Sequence, residues 1–232
     1  GTSRLFETFG NAGADTQERV LQPQEYARTW YRPNPPFART LWSQRNNNNY
    51  QQTALLVSLS HYAANDKLFL KNFYLKAKRS VLKARSEGPA AYVFPADDPR
   101  PGAQAELLRV LQAQHCEVSR ATAPFTVALP ARPKPSQPGA PPAPRGPKPT
   151  EPRTFLAGSH IVRMDQPYSR IADALLDTQY WSPADPQKNV YDDTGWTLGE
   201  LFSVQAVRVA DPSVLAAAMA PVTGRIQAAG GV

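Results

Sequence analysis

The sequence predicts a mixed α/β protein with a parallel strand–helix–strand unit at its centre. Residues 90–95, AAYVFP, form a short apolar run stopped by proline, which is typical of a buried strand. Residues 102–114 follow with four apolar side chains at helical spacing, and residues 116–119 then alternate as a strand would. A strand, a helix and a second strand within about thirty residues indicate the opening of a parallel α/β layer.

The beginning of the chain is interpreted as a strand followed by loops. Over residues 3–10, period-two alternation places Leu5, Glu7 and Phe9 on one face. After the loop that follows, Asp15 or Thr16 is expected to cap a short helix, since both side chains favour that position.

Two long helices are predicted next. The asparagines at residues 46–49 are expected to form a turn or cap before a helix over residues 50–65. A second helix is predicted over residues 66–85, with leucines seven residues apart on one face and lysines on the other. Gly88 and the proline after it are expected to end this part of the chain.

The rest of the chain alternates strands and helices around a proline-rich insertion. Strands are predicted over residues 125–129, 159–164 and 201–209, and a helix over residues 167–178. Residues 130–152 hold 10 of the 24 prolines, a composition that cannot bury enough apolar surface to offset the entropy of ordering. We therefore expect a disordered or polyproline-like insertion there.

These elements suggest two domains and a linker. The first domain is expected over residues 1–87, and the second over residues 88–130 and 153–232, with residues 131–152 as the linker.

Composition limits the classes of function. The chain has 232 residues, 41% of them hydrophobic, which is enough for a real core. Its net charge of +7 permits weak binding to anionic surfaces without demonstrating it. A single cysteine, Cys116, excludes an internal disulfide and a cysteine-rich zinc site. No apolar run reaches about 18 residues, so no membrane span is predicted.

Common catalytic motifs are missing. The three histidines, at positions 61, 115 and 160, have no metal-ligand spacing, and no G-x-S-x-G, G-x-G-x-x-G or Walker pattern is present. Cys116 has no recognisable base beside it, so core packing is its default role. The lysine-rich helix lacks aromatic residues interleaved with its basic ones, and no nucleic-acid partner is expected.

Several separated blocks carry a resemblance to a known family. They are residues 5–16 (LFETFGNAGADT), 26–31 (YARTWY), 42–52 (WSQRNNNNYQQ), 90–102 (AAYVFPADDPRPG), 158–168 (GSHIVRMDQPY) and 191–198 (YDDTGWTL). Together they resemble bacterial zinc carboxypeptidase-like proteins of the M14 class. The likeness spans nearly the whole chain except the proline-rich insertion.

The resemblance implies that this chain is a C-terminal fragment. Such proteins hydrolyse peptide or protein substrates with zinc held by an H-x-x-E pair and a later histidine, and those ligands would lie upstream of Gly1. Near the end of the peptidase domain a strand carries the glutamate that acts as general base, and a long helix follows. Glu7 occupies that place. Zinc is therefore expected in the intact protein and not in this chain alone, and a periplasmic or extracellular location is implied.

The region after Gly88 resembles the accessory part of these proteins. The resemblance implies a Rossmann-type or glutamine-amidotransferase-like α/β layer, and no nucleophile is found in it. Three alternatives stay open. Glu7 is equally consistent with a structural carboxylate that caps a helix or pairs with Arg4 or Arg19. The chain is otherwise a non-enzymatic α/β binding or interaction module, or the whole protein is catalytically inactive.

Overall fold

The computed structural model describes residues 4–8, 13–27, 37–131, 149–178 and 197–228. They fall into two compact units, residues 1–74 and residues 75–232. The boundary between the units lies between Tyr74 and Leu75, inside a long helix.

The first unit contains a two-stranded antiparallel sheet where a short helix was predicted. β1 (Thr16–Val20) pairs with β2 (Arg39–Ser43), and between them α1 (Pro23–Tyr26) is a single turn that begins at its proline. An ion pair of 2.8 Å between Glu18 and Arg39 crosses the two strands. The predicted helix cap is wrong because cross-strand pairing outweighs the local capping preference.

α2 (Gln44–Ala64) begins six residues earlier than the sequence predicts. The N–H and the hydroxyl of Ser43 donate to the side-chain oxygen of Asn46, at 3.1 and 2.6 Å. The asparagines therefore cap the helix from inside its first turns, where the sequence predicted a turn before it. After Asn65, α3 (Asp66–Ser86) matches the predicted second helix.

Both long helices carry large apolar side chains that are exposed. Leu55 and Leu59 of α2 are 52% and 55% exposed, and Leu68 and Phe73 of α3 are 51% and 54% exposed. Amphipathic helices of globular domains normally bury their apolar face against the core. Among the described residues, only one residue of each helix is fully buried. These faces therefore have little packing within the described structure.

The second unit is built from short strands and helices around one central sheet. In chain order they are β3 (Ala91–Phe94), α4 (Pro101–Ala113), β4 (Ser119–Ala121), β5 (Phe125–Pro130), β6 (Thr150–Phe155), β7 (His160–Arg163), α5 (Ser169–Leu176), α6 (Leu198–Leu201), β8 (Val207–Val209), a 3₁₀ turn (Pro212–Ala216) and β9 (Met219–Pro221).

The mixed α/β class is confirmed, but the parallel Rossmann-type or amidotransferase-like layer is not found in the described residues. The central sheet has the order β8-β3-β7-β4-β9, and every neighbouring pair is antiparallel. β3 and β4 do run in the same direction, as predicted. However, β7 lies between them, with Ile161 opposite Val93 on one side and Ser119 on the other.

Two strand–helix–strand units interlock in this sheet. β3, α4 and β4 form the first, and β7, the helices α5 and α6, and β8 form the second. The strand order β8-β3-β7-β4 is that of the split βαβ pair of ferredoxin-like folds, and β9 adds an edge strand.

The central sheet is covered on both faces. On one face, Tyr92 and Phe94 of β3 pack in a cluster with leucines of α4 and with Ala172 of α5. On the other face, Val93 packs in a cluster that includes Phe155 of the β5–β6 hairpin. β3 is therefore buried at all four positions. A strand covered on both faces reads as a continuous apolar run, which is also typical of parallel sheets, and this explains the wrong prediction.

Two predictions for the later part of the chain differ from the observed elements. The proline-rich segment ends earlier than expected, since β6 begins at Thr150 and pairs with Pro130 of β5. Residues 132–148, where disorder was predicted, lie outside the described residues. The strand predicted over residues 201–209 is limited to β8, because α6 ends in a turn with Ser203 at a φ of 54°.

An ion-pair network closes one end of β7. The Arg163 guanidinium donates to both carboxylate oxygens of Asp165, at 2.9 and 2.7 Å, and to the carbonyl oxygen of Leu215 at 2.9 Å. Arg85 adds a third donor to Asp165 at 3.2 Å. Above all, the hydrogen bonds from Arg163 hold the pKa of Asp165 below its usual range.

Replacing Asp165 with asparagine is expected to lower the free energy of unfolding by about 1–3 kcal/mol at pH 7, because the charge-assisted bonds to Arg163 are lost. The pKa of Asp165 is lower in the folded protein than in the unfolded chain, where it is about 4. The ionised carboxylate therefore stabilises the fold at pH values above about 4, and this contribution is lost as the pH falls through the folded pKa. Urea unfolding at several pH values should therefore show the two proteins converging in acid. Asp97→Asn, at an exposed site, is the control, and a pH-independent difference contradicts the account.

Candidate functional site

Glu7, the predicted general base, lies in an irregular segment and not on a strand. Residues 4–8 have no regular secondary structure, and no described strand pairs with them. The side chain of Glu7 is exposed, whereas Phe6 and Thr8 are half-buried. Phe9, which was predicted to share the strand face with Glu7, lies outside the described residues. A short alternating run forms a strand only where a neighbouring strand offers hydrogen bonds, and no described strand pairs with residues 4–8.

The segment is held on the surface of α2 instead. The side-chain amide of Gln51 donates to the carbonyl oxygen of Phe6 and to the hydroxyl of Thr8, both at 3.3 Å. The Arg4 guanidinium donates to the hydroxyl of Tyr62 at 3.0 Å. Since Arg4 meets the end of α2 and Thr8 its middle, the segment runs antiparallel to the helix. These bonds fix the backbone on both sides of Glu7.

Glu7 borders two adjoining cavities. One, of about 390 Å³, is lined by Glu7, Thr8, Trp42 and Tyr50. The other, of about 310 Å³, extends along α2. A carboxylate and an aromatic wall thus face the same space, an arrangement that suits an amphipathic organic ligand.

The aromatic wall is itself supported. The rings of Trp42 and Tyr50 lie 5.4 Å apart between centroids, and the indole N–H of Trp42 donates to the side-chain oxygen of Asn47 at 2.6 Å. Asn47 is the buried residue of α2. The start of the helix therefore positions Trp42, which links the capping of α2 to the shape of the cavity.

The alternative that Glu7 pairs with Arg4 or Arg19 finds no support in the described residues. Neither arginine forms an ion pair with Glu7, and the guanidinium of Arg4 is bonded to Tyr62. The carboxylate of Glu7 is thus placed toward the cavities without an arginine partner in this part of the chain. It has the access that a proton acceptor needs.

The three histidines lie in different elements of the described structure. His61 is on α2, where its ring meets that of Phe69 edge-on at 5.6 Å. His115 follows α4 with a φ of 61°, and His160 is on β7. Cys116 is buried, and burial raises the pKa of its thiol, as suits a core side chain rather than a nucleophile.

No group of three or more histidine, cysteine, aspartate or glutamate side chains converges among the described residues. A zinc site needs three or four such ligands at about 2.0–2.3 Å from the metal. The residues that the structure describes therefore do not fit a zinc site, and no catalytic step is assigned to zinc within them.

Sequence reasoning proposed Glu7 as a site residue but did not predict the aromatic wall beside it. The signal was present, because Ser43 and Asn46 have the spacing of a capping box. A helix starting at Gln44 puts Tyr50 in its second turn, within reach of Trp42 just before the cap. The run of asparagines concealed this signal, since asparagine favours turns as strongly as helix starts.

Comparison with known proteins adds no relative. No family model matches the chain, and neither the curated proteins nor the solved structures contain a match. No helix in the described ranges combines the length and the apolar character that crossing a membrane requires.

Proposed function

We propose that this chain is the closing part of a zinc carboxypeptidase-like protein, which in its intact form hydrolyses peptide bonds with zinc-activated water. In this proposal Glu7 is the general base that takes a proton from the attacking water and delivers it to the leaving amine. The substrate is a peptide or protein, and the location is periplasmic or extracellular. The zinc ligands belong to a preceding peptidase region, and this chain alone is inactive.

The position of Glu7 carries the proposal. It is an exposed carboxylate at the edge of a 390 Å³ cavity with an aromatic wall, and its segment is bonded to a long helix. A general base must reach the proton it removes, so access matters more than burial. Trp42 and Tyr50 offer apolar area for a substrate side chain next to that carboxylate.

The exposed faces of α2 and α3 give independent support. Leu56 and Val57 of α2 are 58% and 63% exposed, and Leu70 of α3 is 68% exposed. Apolar helix faces of this kind favour burial against further protein. A preceding peptidase region would supply that protein and would cover the apolar side chains that these two helices leave exposed in the described chain.

The chain by itself is expected to bind zinc weakly, with a dissociation constant above about 10 μM, because no ligand set converges in its described residues. Competition against a chromophoric chelator measures the affinity. Peptide hydrolysis by the chain should equal that of buffer with the same zinc. A His61→Ala variant is the control and should behave identically. Stoichiometric, tight zinc in the purified chain would contradict the proposal.

The second candidate is a non-enzymatic module that binds a partner or a glycan-rich surface. It is favoured by the exposed lysines of α3, among them Lys67, Lys71 and Lys76. An acidic partner would be attracted to such a face, and the attraction would fall with added salt. A Glu7→Gln variant of the proposed longer protein distinguishes the two candidates. Loss of peptide hydrolysis supports the enzyme, and unchanged hydrolysis removes Glu7 from it.

A further inference from the structure

A second candidate site lies in the second unit (residues 75–232), called the α/β unit from here on, and does not involve Glu7. A cavity of about 400 Å³ opens between the first turn of α4, the neighbouring strands β4 and β7, and the segment after β9. Gln104, Arg120, Gly158, His160 and Arg225 are among its lining residues. Its volume falls within the range of small-molecule sites in proteins.

The lining carries positive charge without a carboxylate. Arg120 and Arg225 both line the cavity, and no aspartate or glutamate among the described residues does. Neither arginine forms an ion pair within the described chain. The charge of Arg225 acts on Glu106, but the carboxylate of Glu106 is hydrogen-bonded to Arg109. The Nε atom of Arg120 donates to the carbonyl oxygen of Gly158 at 3.4 Å. The remaining N–H groups of Arg120, and those of Arg225, have no acceptor among the described residues, so both guanidinium groups keep donors for a ligand.

His160 adds a polar group at the inner wall. Its Nδ1 atom is buried and has no hydrogen-bond partner among the described residues. Because this atom has almost no accessible surface, it lies within the cavity wall, and a ligand in the cavity does not contact it in this structure. Burial, and then the charge of Arg120, lower the pKa of His160 to about 4. The ring is therefore neutral at pH 7 and can donate only one N–H.

The backbone keeps this space open. Gly158 has a φ of 92°, which strains any other residue, and a Cβ there would lie 3.4 Å from the Arg120 guanidinium. Pro101 and Gln104 of α4 form the opposite wall, and the amide of Gln104 is fixed by a 2.8 Å bond to the carbonyl oxygen of Pro95. The positive end of the α4 dipole thus adds to the charge of the arginines.

We propose that this cavity binds a small molecule through an oxyanion group, a phosphate or a carboxylate, held by Arg120 and Arg225. The neutral ring of His160 lines the cavity beside them, and the remaining volume holds the body of the ligand. Planar guanidinium groups bind phosphates and carboxylates alike through paired hydrogen bonds. The two arginines therefore favour an oxyanion group without distinguishing between these two kinds.

Titration of the full chain with inorganic phosphate, and separately with succinate, tests the proposal. The ring resonances of His160 report occupancy by nuclear magnetic resonance. We expect saturable binding with one site per chain, and the tighter of the two probes identifies the class of oxyanion. Arg120→Gln and Arg225→Gln should each weaken that binding about tenfold, because each removes charge-assisted hydrogen bonds.

Arg208→Gln is the matched control, because it removes the same charge from an exposed residue that does not line the cavity. Its affinity for both probes should equal that of the unmodified chain, and thermal unfolding checks that all three variants are folded. Binding that does not saturate, or that Arg208→Gln weakens as much as the cavity variants do, shows only non-specific attraction and overturns the proposal.

Discussion

In the longer, zinc-containing protein that we propose, replacing Glu7 with glutamine is expected to lower peptide hydrolysis by about a hundredfold or more, with the zinc content unchanged. Glutamine keeps the size of the side chain and its place beside Trp42 and Tyr50, but it cannot accept the proton of the attacking water. The loss should fall on kcat more than on KM, since the missing interaction belongs to the transition state. Steady-state kinetics on a peptide substrate, with metal analysis of the same sample, measures both quantities.

Glu18→Gln is the control for this experiment. Glu18 is also an exposed carboxylate of the first unit, and it pairs with Arg39 across the small sheet. Losing an exposed ion pair costs at most about 1 kcal/mol of stability and leaves the cavity intact. Activity should therefore be retained in Glu18→Gln. Unchanged turnover in Glu7→Gln removes Glu7 from the mechanism and leaves the binding-module alternative.

Replacing Phe94 with alanine is expected to destabilise the α/β unit by about 3–5 kcal/mol. The ring of Phe94 is fully buried between the central sheet and α4, in the cluster that contains Leu107 and Leu111. Removing it leaves a cavity that the rigid strands cannot close. Urea unfolding followed by circular dichroism gives the free energy, and the loss is a large part of the stability of a domain of this size.

The exposed Leu156 of the same unit is the control for Phe94. Leu156→Ala removes a side chain that is 51% exposed, and the free energy of unfolding should change by about 0.5 kcal/mol or less. If Phe94→Ala costs under about 1 kcal/mol, the two-sided packing of the central sheet is not the main source of stability in this unit.

The elements of the α/β unit could be predicted because each has its own local pattern. The apolar run at β3, the helical spacing of α4 and the proline before it are all visible along the chain. The partner of each strand is not visible, because pairing depends on segments far apart. β7 lies between β3 and β4 in the sheet, although in the sequence it begins about forty residues after the end of β4. The direction and the order of the strands in the sheet therefore could not be predicted from the local periodicity of the sequence.

The candidate site shows the same limit. Glu7 was proposed as a site residue through the resemblance, and its strand was predicted from a five-residue alternation that no neighbouring strand in the described chain supports. The cavity beside it depends on the ring of Trp42, which a buried asparagine positions from the first turns of α2. The cavity that we propose to bind an oxyanion is lined by Arg120, His160 and Arg225, which come from three separate segments. Their spacing along the chain does not indicate that they lie close together.

A structure of the longer protein with zinc bound would test the central claim most directly, through the distance between the metal and the carboxylate of Glu7. Zinc binds oxygen at about 2.1 Å, and a general base lies about 3 Å from the water it deprotonates. The account predicts a carboxylate oxygen of Glu7 within about 5 Å of the zinc, on the cavity side of Trp42. A distance beyond about 8 Å, or a zinc site without Glu7 at its edge, contradicts it.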